Sequence, residues 1–431
     1  MSIQGAMYSG ISGLSSNGIA MEVIGNNIAN INTPAYKFSR PEFSDILAKN
    51  MGMGYSIGRG ANVTGVDTLF TQGSFQTTNN VTDVALEGKG FFVLKDSNET
   101  GNYYTRAGNF HIDELGYITN SEGLRVQGYL LDERGIYTGT PQDIKIPTTP
   151  LSPKPTSDGS TLNSGVQIAA NLDSNSQPIA SGFDITNPTG TSHFTTSITV
   201  YDSLGNGHQV SVYFTKIADG SWQWNVAVDA SDTASGSTEV QASGTLTFDT
   251  QGRLSQETTT TNSFNFNGGC TQNQVIGFNF GTSLAESGTG LDGTTQFGDV
   301  SSLHYQSQDG YSPAYLQSLE IDNNGVIIGK YANGETKKFY QLAVANFQNP
   351  NGLSKAGGNL FGETTTSGEP LISVANVSGN GRIFSDTLEM SNVDLAEQFV
   401  SMIATQRGFQ ANSRSITTTD EMLSDLVNLK R

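Results

Sequence analysis

"NVDLAEQFVSMIATQRGFQANSRSI", residues 392–416, has the periodicity of an amphipathic helix. Leu395, Met402, Phe409, Ile416 and, just beyond the stretch, Leu423 occupy five consecutive heptad positions, all apolar. Phe399 and Val427 widen the stripe. Ser391 followed by Asp394 resembles a capping box, and Lys430 and Arg431 stand where the negative end of the helix dipole falls. Gly408 and Thr417–Thr419 are weak helix formers, so a break near Thr417 is the competing expectation. The start of the chain repeats the pattern. Met7, Leu14, Met21 and Ile28 recur every seven residues with Ile11, Ile24 and Ile31 beside them, and "NTP" at 32–34 stops the helix because a residue before proline avoids the α region.

Between these ends the signal is β. "FFVL", "YYTRAGNFHI", "TSITVYDS", "HQVSVYFTKI" and "WQWNVAVD" are alternating, β-branched or aromatic. A D-x-x-G element recurs at Asp113–Gly116, Asp132–Gly135, Asp202–Gly205, Asp249–Gly252 and Asp322–Gly325. Asp accepts a hydrogen bond at the first turn position and Gly tolerates positive φ at the fourth, so these are expected as hairpin corners. None has the alternating carboxylates and closing Glu of a calcium loop. Four prolines in "PTTPLSPKP", 147–155, read as a stiff linker. The expected fold is mainly β with long α-helical termini and nested β domains. Residues 1–31 and 391–431 form a terminal helical module, 32–72 a connecting segment, 73–150 and 300–386 a discontinuous inner β domain, and 156–299 an inserted outer β domain.

Composition excludes several function classes. The 431 residues carry a net charge of −18 and only 35% hydrophobic residues, with 50 glycines, which suits turn-rich β domains rather than one large core. A chain this acidic is a poor candidate for binding nucleic acid or anionic membrane, because like charges repel. No run approaches the ~18 apolar residues of a membrane span. The N-terminus has no basic segment before Lys37 and no continuous apolar core, so a cleaved secretory signal is not expected. One cysteine, Cys270, allows no intrachain disulfide and reads as a small residue in a loop. His111, His193, His208 and His304 are not spaced for a metal pair on one helix face. Gly288, Gly290 and Gly293 spell G-x-G-x-x-G, but no strand precedes and no helix follows, so a loop is expected. No nucleophile elbow occurs. The chain is therefore not expected to be an enzyme, and no cofactor or metal site is expected.

A narrow apolar stripe must be buried against something. The two terminal stripes are expected to face each other, with the remaining apolar surface meeting other copies of the chain. The same residues carry a resemblance. "NNIANINTPAYK" at 26–37 and "LEMSNVDLAEQFVSMIATQRGFQANSRSITTTDEMLSDLVNLKR" at 388–431 resemble the terminal signatures of the bacterial flagellar rod and hook family. "VTDVALEGKGFFVL", "YYTRAGNFHIDELGYITNSEG" and "LAVANFQNPNGL" are similar to its shared β domain. Ala35 departs from the pattern, which has Gly after "NTP" or "NTT", and alanine there argues against a positive φ.

The large insertion resembles the hook branch rather than the shorter rod members. A distal rod subunit, whose tube would be straight and stiff, is the nearest alternative, and an extracellular β-rich adhesin a more distant one. The resemblance implies a homopolymeric helical tube acting as a flexible joint, with the terminal helices lining an export channel. It implies rod, hook cap and hook–filament junction proteins as partners. It also implies passage, uncleaved, through the flagellar type III export apparatus to an extracellular hook. The self-assembly interface is expected at Met7, Ile11, Leu14, Met21, Ile24 and Ile28 on the first helix and at Leu395, Phe399, Met402, Phe409, Ile416 and Leu423 on the last.

Overall fold

The computed structural model describes residues 3–46, 49–50, 56–96, 101–132, 134–137, 139–160 and 164–428. The protein is mainly β, with a long helix near each end, Ile3–Ala29 and Leu395–Asn428. The last helix runs through Thr417–Thr419 without a break. Their hydroxyls donate back to carbonyls of the preceding turn, Thr417 and Thr418 to Arg414 O (2.9 and 2.8 Å) and Thr419 to Ser415 O (2.6 Å). Each polar group is thereby satisfied inside the helix. Its N-cap is Asp394, not Ser391. The Asp394 carboxylate accepts the amides of Ala396 (2.8 Å) and Glu397 (3.2 Å), two of the donors a helix start leaves unpaired. Val427 lies in the helix, while Lys430 and Arg431 fall outside the described residues.

Two compact units divide the chain. The first is Met1–Thr148 with Ser318–Lys330 and Thr336–Arg431. Its sheet is built around Thr336–Asn346, which pairs antiparallel with Val326–Tyr331, Arg125–Leu130, Phe91–Lys95 and Leu371–Val374. Gly128 stands opposite Leu342, Phe92 opposite Val344 and Val374 opposite Ala343. Phe91, Val93, Tyr104, Ala343, Phe347 and Phe361 form the core on one face, and Phe70 sets its ring edge-on to both Phe91 and Phe361.

The second unit is Thr149–Gln317 with Tyr331–Glu335. It holds a five-stranded antiparallel meander in chain order, Phe194–Tyr201, Gly207–Ala218, Ser221–Val228, Glu239–Phe248 and Leu254–Asn262. Alternation is strict where it matters: His208, Val210, Val212 and Phe214 are all buried on one face. Trp222 and Trp224 are fully buried beside Phe214, Phe264, Phe266 and Phe280. The proline-rich stretch is paired in part, Leu151 with Ala314 and Lys154 with Tyr311.

All five D-x-x-G elements are corners of the expected kind. In each, the Gly amide donates to the Asp carbonyl at 2.9–3.1 Å, and the Asp carboxylate accepts the amides two and four residues further on. The glycine φ lies between 75° and 89°.

Candidate assembly surface

The two long helices pack antiparallel, and glycine decides how closely. A Cβ on Gly10 would stand 2.8 Å from Ile416 Cγ1, and one on Gly13 only 2.5 Å from Asn412 Nδ2. Gly408 faces Asn17, its would-be Cβ 3.1 Å from Asn17 Oδ1. Further along, buried Asn27 donates to Gln398 Oε1 at 3.2 Å. On the first helix the seam is therefore Gly10, Gly13, Asn17, Ala20, Ile24 and Asn27, a three–four spacing.

This corrects the expectation that the two apolar stripes face each other. The seam is made of small and polar residues because they let the backbones approach, which displaces the large side chains to its flanks. Of the expected interface residues, Ile24 is buried in the seam and Ile416 reaches Gly10. Met7, Leu14, Met21, Ile28, Met402 and Leu423 are half-buried. Ile11, Leu395, Phe399 and Phe409 are exposed, Phe399 by 47% and Phe409 by 41%. Val400 and Ile403, absent from the expected set, are more open still, at 68% and 54%. The sequence signal for them was present: both are large apolar residues one position beyond a residue of the stripe.

Residues 32–72 are more than a connector. Ser39–Asp45 and Ala61–Thr68 form an antiparallel ribbon lying on the first helix, where Ser16 Oγ donates to Ala61 O at 3.0 Å. Gly60, at φ 102°, passes so close to Ser12 that no side chain would fit.

Where helices meet sheet, three charges are buried together. Glu389 is fully buried. Its Oε1 accepts from Lys37 Nζ (2.6 Å) and the Gly73 amide (2.9 Å), and its Oε2 accepts from Arg106 Nε (3.1 Å). Arg106 spends its remaining donors on the carbonyls of Leu86, Gly88 and Gly90 and on Gln72. Lys37 also donates to Thr71 O. Burial pushes the Lys37 ammonium below its ordinary range, Glu389 opposes that, and the neighbouring Arg106 adds to it.

Two asparagines complete the clasp. Asn392 accepts from the Phe38 amide and donates to Leu69 O and Thr71. Asn27 donates to Ser39 O and accepts from the Ser39 amide and the Tyr36 hydroxyl. Between them sits Ala35, 2% exposed, its amide on Glu389 O, with φ at 57°. The positive φ is thus kept without glycine, because the clasp fixes the backbone on both sides. Lys37, Arg106 and Glu389 each lie in a quoted signature stretch, but their meeting had no local signal.

The remaining candidates are structural. Cys270 is buried in the second unit, and burial pushes its thiol up. Gly288 and Gly293 lie where a Cβ would strike Thr282 and Phe280 O, so the glycine triplet serves close backbone packing. Among the described residues no His, Cys, Asp and Glu grouping could hold a metal ion, and no helix is long and apolar enough to cross a membrane.

Family models match four stretches: the flagella basal body rod protein at 7–37 and the flagellar hook protein FlgE/F/G D1 domain at 85–160. The flagellar basal body protein FlaE D2 domain matches 171–311, and the flagellar basal body rod FlgEFG protein C-terminal model 385–429. The flagellar hook protein FlgE of Borreliella burgdorferi is 36% identical, with 99% of each chain covered. That of Escherichia coli is 34% identical over 99% of this chain and all of its own. The crystal structure of Helicobacter pylori flagellar hook protein FlgE2 superposes with a TM-score of 0.51 at 16% identity, covering 73% of this chain and all of that one, which is a likeness of fold.

Proposed function

The chain belongs to the flagellar hook protein family and is a structural subunit of the hook, and from that premise we propose how its parts divide the work. The terminal helices and the ribbon on them are the assembly module. Met7, Ile11, Leu14, Met21, Ile24, Ile28, Leu395, Phe399, Met402, Phe409, Ile416 and Leu423 form or support the self-contacts of a helical tube around an export channel. The β units lie outside it, and the tube serves as a universal joint between rod and filament. Hook cap and junction proteins are further partners, and the chain reaches its place through the flagellar type III export apparatus.

The observation that carries this reading is the mismatch between seam and stripe. Each chain satisfies its own helix pair with glycine, asparagine and alanine, and leaves Ile11, Leu395, Phe399, Val400, Ile403 and Phe409 exposed in one module. A set of large apolar side chains on a soluble surface calls for a partner. Because Phe409 is not part of the intrachain core, Phe409→Asp should leave the monomer's circular dichroism and melting unchanged. It should abolish sedimentable polymer, since a charge in a buried contact costs several kcal/mol. Polymer formed at the wild-type critical concentration would overturn this division of labour.

A further inference from the structure

Charge is unevenly spread over the chain. The second unit holds fifteen Asp and Glu against three Lys and Arg, so it carries twelve of the eighteen net negative charges. Its three cations are already paired: Lys154 with Asp309 (3.1 Å), Lys216 with Asp219 (3.3 Å) and Arg253 with Asp249 (2.7 Å). Asp158, Asp184, Asp229, Asp292, Asp299 and Glu335 stand exposed. Nothing cationic on that unit is left to balance them.

The first unit has the complement. A depression of about 470 Å³ is lined by Lys95, Tyr117, Gln127, Asp143, Lys145 and Tyr340, among others. Its one carboxylate is engaged, with Asp143 Oδ2 accepting from Arg125 (2.8 Å) and Oδ1 from Gln127 (2.6 Å). The Arg125 guanidinium lies 3.9 Å over the Tyr117 ring, and Lys145 Nζ is 5.1 Å from the same ring. Among the described residues neither Lys95 nor Lys145 has a carboxylate partner. Two ammonium groups with no carboxylate partner among the described residues thus share a concavity on a chain that is strongly acidic elsewhere.

We propose that this depression on one chain receives an acidic segment of the second unit of another copy. The inference rests on the self-assembly proposed above. Steering between unlike patches would favour one relative placement of neighbours, because opposite placements bring like charges together.

The test is zero-length cross-linking of polymer made from equal amounts of ¹⁴N- and ¹⁵N-labelled full-length chain. A carbodiimide activates a carboxylate, the lysine amine displaces the activated group, and an amide forms as the reagent becomes its urea. Lys95 or Lys145 should be joined to Asp or Glu of 149–317, with half of the linked peptides of mixed isotope. In a Lys95→Glu/Lys145→Glu variant the critical concentration at low salt should rise about tenfold, and the difference should shrink above ~0.5 M salt, where the Debye length falls to a few ångströms. Normal polymer whose two lysines carry no intermolecular link, or only links to the helices, overturns the docking and leaves the assembly reading intact. So does an unchanged critical concentration. Wild-type chain that forms no polymer removes the assembly reading and the docking with it.

Discussion

Glu389 is one carboxylate shared by two buried cations, so the three groups are not equivalent. Glu389→Gln leaves Lys37 and Arg106 facing each other out of water and should cost about 3–5 kcal/mol. Lys37→Met leaves a neutral Arg106–Glu389 pair, and Thr71 O keeps its bond from Asn392, so it should cost only about 1–2 kcal/mol. Urea unfolding followed by circular dichroism measures both, and equal losses would mean the network is not organised around Glu389. A second carboxylate behaves differently. Burial raises Glu257 from its ordinary 4.5 to about 7, with a lesser push from Glu286, against the Phe280 amide that bonds it. The folded state therefore holds a proton that the unfolded state has released between about pH 4.5 and 7. Native binding exceeds unfolded binding there, so the second unit loses stability as pH rises through that window. Glu257→Gln should match wild type near pH 4 and exceed it by about 3 kcal/mol above pH 7. Tryptophan fluorescence reads this unit alone, since both tryptophans of the chain lie in it.

At the scale of elements, the helix pair shows what periodicity can and cannot mark. Heptads of Leu, Met, Phe and Ile announced both helices and their amphipathic character. They misplaced the seam because a hydrophobic pattern weighs large side chains, whereas closest approach is set by the absence of one. Gly13→Leu should therefore separate the helices. Its Cβ alone would overlap Asn412, and overpacking of this kind costs about 1–3 kcal/mol. Amide exchange should accelerate along both 3–29 and 395–428, with the sheets unaffected; acceleration confined to the first helix would deny the pairing. The five D-x-x-G corners were legible for the opposite reason: every atom each turn needs lies within five consecutive residues. The clasp was not, because Lys37 and Glu389 are 352 positions apart and share no local pattern. The heptads marked Phe399 and Phe409 as surface available for contact, but their exposure became visible only once the seam was placed.

For the whole molecule, the nesting of the units separates two kinds of integrity. The second unit has its own core of Trp222, Trp224, Phe214 and Phe280, closed by residues from one continuous stretch. The first draws on both ends of the chain. A variant ending at Ser385 should keep buried-tryptophan emission from the second unit while its first unit becomes protease-sensitive. Loss of the tryptophan signal in that variant would show that the second unit does not stand by itself.

Glu389 also sets a clock. A ribosome delivers Lys37 and Arg106 long before the carboxylate of Glu389 that neutralises them. Until then the clasp would have to bury two cations bare, which is far more costly than leaving them in water. Until Glu389 is made, electrostatics disfavour closure of the first unit around Lys37 and Arg106. While Glu389 is missing the first unit lacks the carboxylate of its clasp, whatever the second unit does. Premature closure of the first unit is disfavoured by the order in which three charged residues were written into the sequence.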